Sequence, residues 1–214
     1  MRTRVKFCGL VDSRDVDAAV QLGADAVGFV LWHGSSRALT LTEAASLRRR
    51  LPSWVMAVGL VVNAGQTAVE QAVQSVGLDV VQFHGDETPS ECAACPLPWW
   101  RAVRMRSQSD LLHCCALYQG ADAYVLDAFS DGYGGSGQTF DWSWACGAID
   151  SPRVLCGGLN PANVTAAIAA VRPQWVDVSS GIQMVGQPRR KDPALMAQFM
   201  AQVLIADTQT LTAP

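Results

Sequence analysis

Charge is in short supply in this sequence. Only 16% of its 214 residues are Asp, Glu, Lys or Arg, and nineteen acidic against sixteen basic side chains leave a formal charge of -3. That balance gives no bulk attraction to nucleic acid or to an anionic membrane, and neither partner is expected. No Pro/Ser/Gly-rich linker divides the chain, so a single domain over residues 1–214 is expected. No apolar run stands behind the charges of MRTRVKF as it would in a secretory signal, and WVMAVGLVV is far too short to span a bilayer. A cytoplasmic protein is the expectation. Its seven cysteines, an odd number, read as reduced thiols and not as a disulfide framework. Cys92 and Cys95 have a CxxC spacing, but no second pair or histidine follows at ligand distance, so they read with Cys114 and Cys115 as packing thiols and no metal site is expected. Nucleotide loops are missing too: the chain has no GxxxxGK[ST], and no GxGxxG opens a helix after the first strand. The cluster Arg48-Arg49-Arg50 reads as the solvated, positively charged end of a helix.

What is present is apolar material, half of all residues, arranged in alternation. Eight β-rich runs, VKFCGL, AVGFVL, MAVGLVV, VVQFHG, WWRAVRM, AYVLDA, RVLCGG and WVDVSSG, are separated by helical stretches near 13–23, 42–51, 66–76, 88–95, 108–118, 141–149 and 162–171. A last helix is expected near 193–205, with 206–214 as a flexible tail. Strands that each precede a helix pair in parallel through right-handed crossovers, and eight such units close most naturally into a (β/α)8 TIM barrel. A doubly wound open sheet is the runner-up.

In such a barrel the chemistry sits at the C-terminal ends of the strands. Strand one offers Lys6 and Cys8 on one face, since side chains alternate along a strand, and Gly9 lets the chain turn toward a helix capped by Asp12 or Ser13. Strand four offers Gln82 and His84, strand six Asp127, and strand eight Asp177, Ser179 and Ser180. The turns Gly157-Gly158 and Ser180-Gly181 follow strands seven and eight, where barrels of this type hold phosphate against backbone N–H groups, so a phosphorylated small molecule is the expected partner. The glycine-rich stretch Asp131–Gly137 suits a lid over bound substrate.

Lys6-Phe-Cys8-Gly-Leu, Gln82-Phe-His84-Gly-Asp86-Glu87, Leu126-Asp127-Ala, Gly135-Ser-Gly137 with Phe140-Asp141-Trp142, Gly157-Gly158-Leu-Asn-Pro-Ala-Asn163-Val and Val176-Asp177-Val-Ser-Ser180-Gly closely resemble the phosphoribosylanthranilate isomerases of tryptophan biosynthesis, over almost the whole chain. The resemblance implies a cofactor-independent Amadori rearrangement of an aminoaldose phosphate, with Asp127 as general acid and Cys8 as base. It also implies Arg37 near the anthranilate carboxylate, His84, Lys6 and Asp177 about the substrate, and Gly157, Gly158, Ser180 and Gly181 on the phosphate. A free thiol is mostly protonated at neutral pH, and Lys6 is expected either to favour the Cys8 thiolate or to pair with Asp177 in the core. Gln183, where the family often has glutamate, and the long basic loop 184–191 depart from the pattern. Other readings are the aminoaldose isomerase of histidine biosynthesis or a bifunctional enzyme, which Cys8 in place of an aspartate disfavours, and an inactive phosphate-binding barrel. Monomer and homodimer both fit the family.

Overall fold

A computed structural model describes residues 2–133, 137–146 and 149–212. Eight strands, β1 (Arg4–Cys8), β2 (Ala26–Val30), β3 (Met56–Val61), β4 (Val80–Phe83), β5 (Trp99–Met105), β6 (Ala123–Ala128), β7 (Arg153–Leu155) and β8 (Trp175–Val178), pair in order, all parallel. β1 then pairs with β8 and closes the barrel, which excludes the open sheet. Around it run α1 (Ser13–Gln21), α2 (Leu41–Arg48), α3 (Gln66–Ala72, widened into a π turn through Gly77), α4 (Pro89–Ala93), α5 (Gln108–Leu117), α6 (Val164–Val171) and α7 (Pro193–Thr212). Among the described residues no helix is long and apolar enough to cross a membrane.

The period of two sorts the strand residues. Val5, Phe7, Val27, Phe29, Val176 and Val178 face outward onto the helices, while Ala26, Val58, Trp100, Val125, Val154 and Trp175 fill the interior. Trp100 and Trp175, near the starts of their strands, plug the N-terminal end with ring centres 5.3 Å apart. Burying each such apolar side chain contributes on the order of 2 kcal/mol, so the outer and inner faces together stabilise the closed sheet.

A fourfold device sets the strand starts. Asp25, Asp79, Asp122 and Gln174 stand directly before the even-numbered strands, and each side chain accepts a backbone N–H from the preceding odd strand: Val5 at 2.8 Å, Ala57 at 2.7 Å, Trp99 at 2.9 Å and Arg153 at 2.8 Å. These bonds satisfy donors at the barrel floor that no helix or strand would otherwise take. Helix starts follow local chemistry as well. Asp12, not Ser13, caps α1, and Thr40 with Glu43 and Thr88 with Glu91 form capping boxes on α2 and α4.

Three expectations need correction. Between β6 and β7 the helix expected over 141–149 is, among the described residues, a short 3-10 turn, Trp142–Ala145, at whose start Asp141 accepts the Ser143 N–H; residues 147–148 lie outside the described residues. The loop after β8 is a two-stranded hairpin, β9 (Gln183–Met184) with β10 (Gln187–Lys191), closed by Gln183 donating to the Pro188 carbonyl at 2.7 Å. The segment from 206, expected as a flexible tail, continues α7 to Thr212: Ala206 is buried, and Asp207 accepts the Thr3 N–H and hydroxyl. Residues 213–214 of that tail lie outside the described residues.

Candidate active site

Parallel closure brings the C-terminal strand ends to one rim, and a cavity of about 390 Å³ opens there. Cys8, Gln82, His84, Asp127, Asp177, Ser179 and Ser180, the mouth residues expected from the sequence, all line it, as do Arg37, Gly157 and Gly158. Lys6 and Gly181 do not. Gly181 sits behind Ser180 in a 3-10 turn, and Lys6 is wholly buried beneath the floor.

The barrel register explains Lys6. It pairs across β1 and β8 with Asp177, and its ammonium donates to Asp177 Oδ2 at 2.6 Å. Core ion pairing is therefore present, and the carboxylate and the Cys8 thiolate both drive the Lys6 pKa upward against burial. The thiol itself behaves differently from the expectation. Burial pushes Cys8 up, Asp177 pushes it further, and the pull of Lys6 and Lys191 in the other direction does not overcome them. At neutral pH the thiol form is favoured.

Space for the thiol comes from Gly28, the register partner of Cys8 on β2. A methyl group at Gly28 would lie 2.8 Å from Cys8 Sγ and 3.1 Å from Lys6 Cε, so only glycine leaves both side chains in place.

Asp127 is held at both oxygens. Oδ1 accepts the Ala128 N–H at 2.9 Å, and Oδ2 lies 3.2 Å from His84 Nε2. The far side of the imidazole, Nδ1, meets the Gln82 amide at 3.1 Å. Gln82, His84 and Asp127 thus form one line of contacts, and His84 addresses the carboxylate.

Arg37 is half-buried beside Trp32, Val30 and Leu60, which give the cavity an apolar wall, and among the described residues no carboxylate pairs with its guanidinium. Tyr133, from the expected lid, stands edge-on to Trp32 at 5.6 Å and donates to Asp86. Residues 134–136 of that lid lie outside the described residues. Gly157 and Gly158 adopt φ values of +75° and +63°, a left-handed pair that turns the β7 end around the cavity. No group of three or more His, Cys, Asp or Glu among the described residues is placed to hold a metal ion.

Gly28, Trp32 and Tyr133 went unread in the sequence. Gly28 carried a signal, a glycine inside an otherwise apolar strand, which marks a close approach. Trp32 and Tyr133 carried none, because lone loop aromatics have no period.

Residues 5–202 match the family model described as N-(5'phosphoribosyl)anthranilate (PRA) isomerase. The N-(5'-phosphoribosyl)anthranilate isomerase of Leptothrix cholodnii is 48% identical over 212 residues, 99% of this chain and 96% of that protein. Among solved structures, phosphoribosyl anthranilate isomerase from Thermotoga maritima superposes with a TM-score of 0.87 at 36% identity, covering 94% of this chain and 98% of that one. A phosphoribosyl anthranilate isomerase in complex with reduced 1-(o-carboxyphenylamino)-1-deoxyribulose 5-phosphate gives a TM-score of 0.84 at 33% identity with the same coverage.

Proposed function

The chain belongs to the N-(5'-phosphoribosyl)anthranilate isomerase family, and from that premise we propose that Cys8 is the base and Asp127 the acid of its reaction. That reaction is the cofactor-independent aldose–ketose isomerisation of tryptophan biosynthesis, in which N-(5-phosphoribosyl)anthranilate becomes 1-(2-carboxyphenylamino)-1-deoxyribulose 5-phosphate. A proton delivered to the furanose ring oxygen opens the ring and leaves a Schiff base at C1. Loss of the proton at C2 then gives an enolamine, which tautomerises to the ketone. Substrate and product contain the same atoms, so every proton taken is returned.

The observation that carries the assignment is that Cys8 and Asp127 line one cavity from β1 and β6. Cys156 is the other thiol in the lining, but it donates to the Leu126 carbonyl at 3.2 Å and burial holds it well above the ordinary thiol range. It is a poor base. His84 at Asp127 Oδ2 orients the acid toward the ring oxygen. The fork of Arg37, which no carboxylate pairs with among the described residues, suits the anthranilate carboxylate, and Trp32, Val30 and Leu60 suit its ring. Gly157, Gly158 and Ser180 suit the phosphate, since glycine lets an anion approach the backbone closely.

All of these residues come from one chain, so the site is complete in a monomer and is equally served by a homodimer. A biosynthetic enzyme with seven free cysteines suits the reducing cytoplasm. Loss of anthranilate fluorescence on mixing with fresh phosphoribosylanthranilate measures turnover. Cys8→Ser and Asp127→Asn each lower kcat by at least about a hundredfold with the fold intact. Near-normal turnover in either variant removes that residue from its role.

A further inference from the structure

Lys191 has no part in the chemistry above, yet its surroundings are unusual. It ends β10, is 1% exposed, and its ammonium donates to the Ser179 carbonyl at 2.8 Å and the Ser179 hydroxyl at 3.2 Å. Among the described residues no carboxylate lies within ion-pair distance of it. Asp15 accepts the Lys191 backbone N–H at 2.9 Å and is occupied by the Arg190 guanidinium at 3.0 Å. A buried ammonium without a counter-ion is costly, so a nearby anion would strengthen its charge.

The Ser179 hydroxyl that receives Lys191 donates in turn to the Cys8 carbonyl at 2.9 Å. Lys191 therefore stands two hydrogen bonds from the residue carrying the thiol, and its charge and that of the thiolate attract each other. Lys6 is closer along the strand but is committed to Asp177, whose negative charge acts on Cys8 with the opposite sign. Seen from the thiol, Asp177 offsets part of the pull of Lys6, and Lys191 adds to that pull from the other side. The unpaired cation is Lys191.

We propose that Lys191 is a positioning residue that serves as the counter-ion of the Cys8 thiolate, with the β9–β10 hairpin as its mount. The hairpin is fixed to the mouth by three consecutive basic residues: Arg189 donates to the Ser36 carbonyl beside Arg37 at 2.9 Å, Arg190 pairs with Asp15 on α1, and Lys191 holds Ser179 after β8. The charged and titratable groups acting on Lys191 are Arg37, Cys8, Asp177 and Asp15, and those acting on Cys8 are Lys6, Asp177 and Lys191, with the Cys156 thiol also facing it. Burial and then Arg37 push Lys191 down to about 7, so its charge titrates near neutral pH, and ionisation of Cys8 strengthens it.

The proposal rests on Cys8 being the base, and its test is independent of turnover. In protein retaining Cys8 as its only cysteine, the rate of iodoacetamide alkylation is followed from pH 6 to 10 for the parent, Lys191→Met and Lys191→Gln. The glutamine keeps a hydrogen bond to Ser179 and loses the charge, and circular dichroism checks that each variant is folded. Both variants alkylate about tenfold more slowly at pH 7, with the midpoint raised by about one pH unit, while the dissociation constant for inorganic phosphate, from calorimetric titration, stays within about twofold. An unmoved alkylation profile in the folded variants overturns the proposal. If the phosphate constant rises instead, Lys191 is a phosphate ligand. Full turnover by Cys8→Ala would remove the base assignment and leave the alkylation result standing, so the two failures are distinguishable.

Discussion

Replacing Lys6 with methionine tests whether the pair under the cavity floor is held as a pair. The ammonium is fully buried, Asp177 is 6% exposed, and Asp177 Oδ1 has no hydrogen-bond partner while Oδ2 has Lys6 at 2.6 Å. Lys6→Met therefore leaves a buried carboxylate with neither oxygen satisfied by Lys6. Breaking one side of a buried ion pair costs about 3–5 kcal/mol. For a chain of this length each kcal/mol moves Tm by about 2–4 °C, so a fall of roughly 6–20 °C is expected. Lys6→Met with Asp177→Leu removes both charges and fills the space with apolar groups. That double variant returns to within about 1 kcal/mol of the parent, since desolvating two charges offsets most of what their attraction contributes. Urea unfolding with a constant m-value gives all of the free energies of the cycle. A loss below about 1 kcal/mol in Lys6→Met, or a double variant as unstable as the single one, refutes the reasoning. The same proteins report on the thiol: Lys6→Met strands the Asp177 charge near Cys8 and raises its alkylation midpoint, and the double variant raises it less.

Gly28→Ala puts a methyl group 2.8 Å from Cys8 Sγ, so the thiol must shift, and kcat falls about ten- to a hundredfold with KM little changed; an unaltered kcat in initial-rate assays removes Gly28 from the argument. Gly158→Ala forces a φ of +63° on alanine and sets its methyl group 2.6 Å from the Gln138 carbonyl carbon, so KM and the inhibition constant for inorganic phosphate rise together, by about tenfold; a change in kcat alone would point away from the phosphate. Lys191→Met changes how stability depends on pH. The folded-state pKa of about 7 lies below the value of 10.5 for a free lysine, so from about pH 7 to 10.5 the unfolded chain holds the extra proton and the parent gains stability as pH rises. Below that window both states are charged and the burial penalty, on the order of 5 kcal/mol, is fully present. The methionine variant lacks this slope and is the more stable protein near pH 6, as urea titrations across the range will show.

Much of this was legible in the sequence, and the reason is local. Alternation along β1 places Lys6 and Cys8 on one face from five residues alone, and the same rule aims Asp127 and Asp177 inward. Once eight strands are recognised, the barrel rule puts their last polar residues at one rim. The Asp before each of β2, β4 and β6 was equally local, in the runs GADAV, GLDVV and GADAY, yet its partner is a backbone N–H on another strand, so the pattern has no meaning until pairing order is known.

What stayed hidden depends on register between segments far apart in the chain. Lys6 could favour the thiolate or pair with Asp177, and nothing within β1 decides between them. The β1–β8 pairing that closes the barrel sets the two residues opposite each other across 171 positions of sequence. Closure also carries the hairpin after β8 back over the start of α1, so that a loop notable in the sequence only for its length and basic charge delivers Arg190 to Asp15 and Lys191 to Ser179. The environment of Cys8 is thus set in part by Asp177 and Lys191, which no window around Cys8 contains. Lys6 and Asp177 arrive by strand register and Lys191 by the hairpin, and the balance among them follows from which cation already has a carboxylate. Lys6 has one, and Lys191 among the described residues does not. A reading of the Cys8 environment from β1 alone therefore finds Lys6 and misses Lys191, the cation that among the described residues has no carboxylate partner.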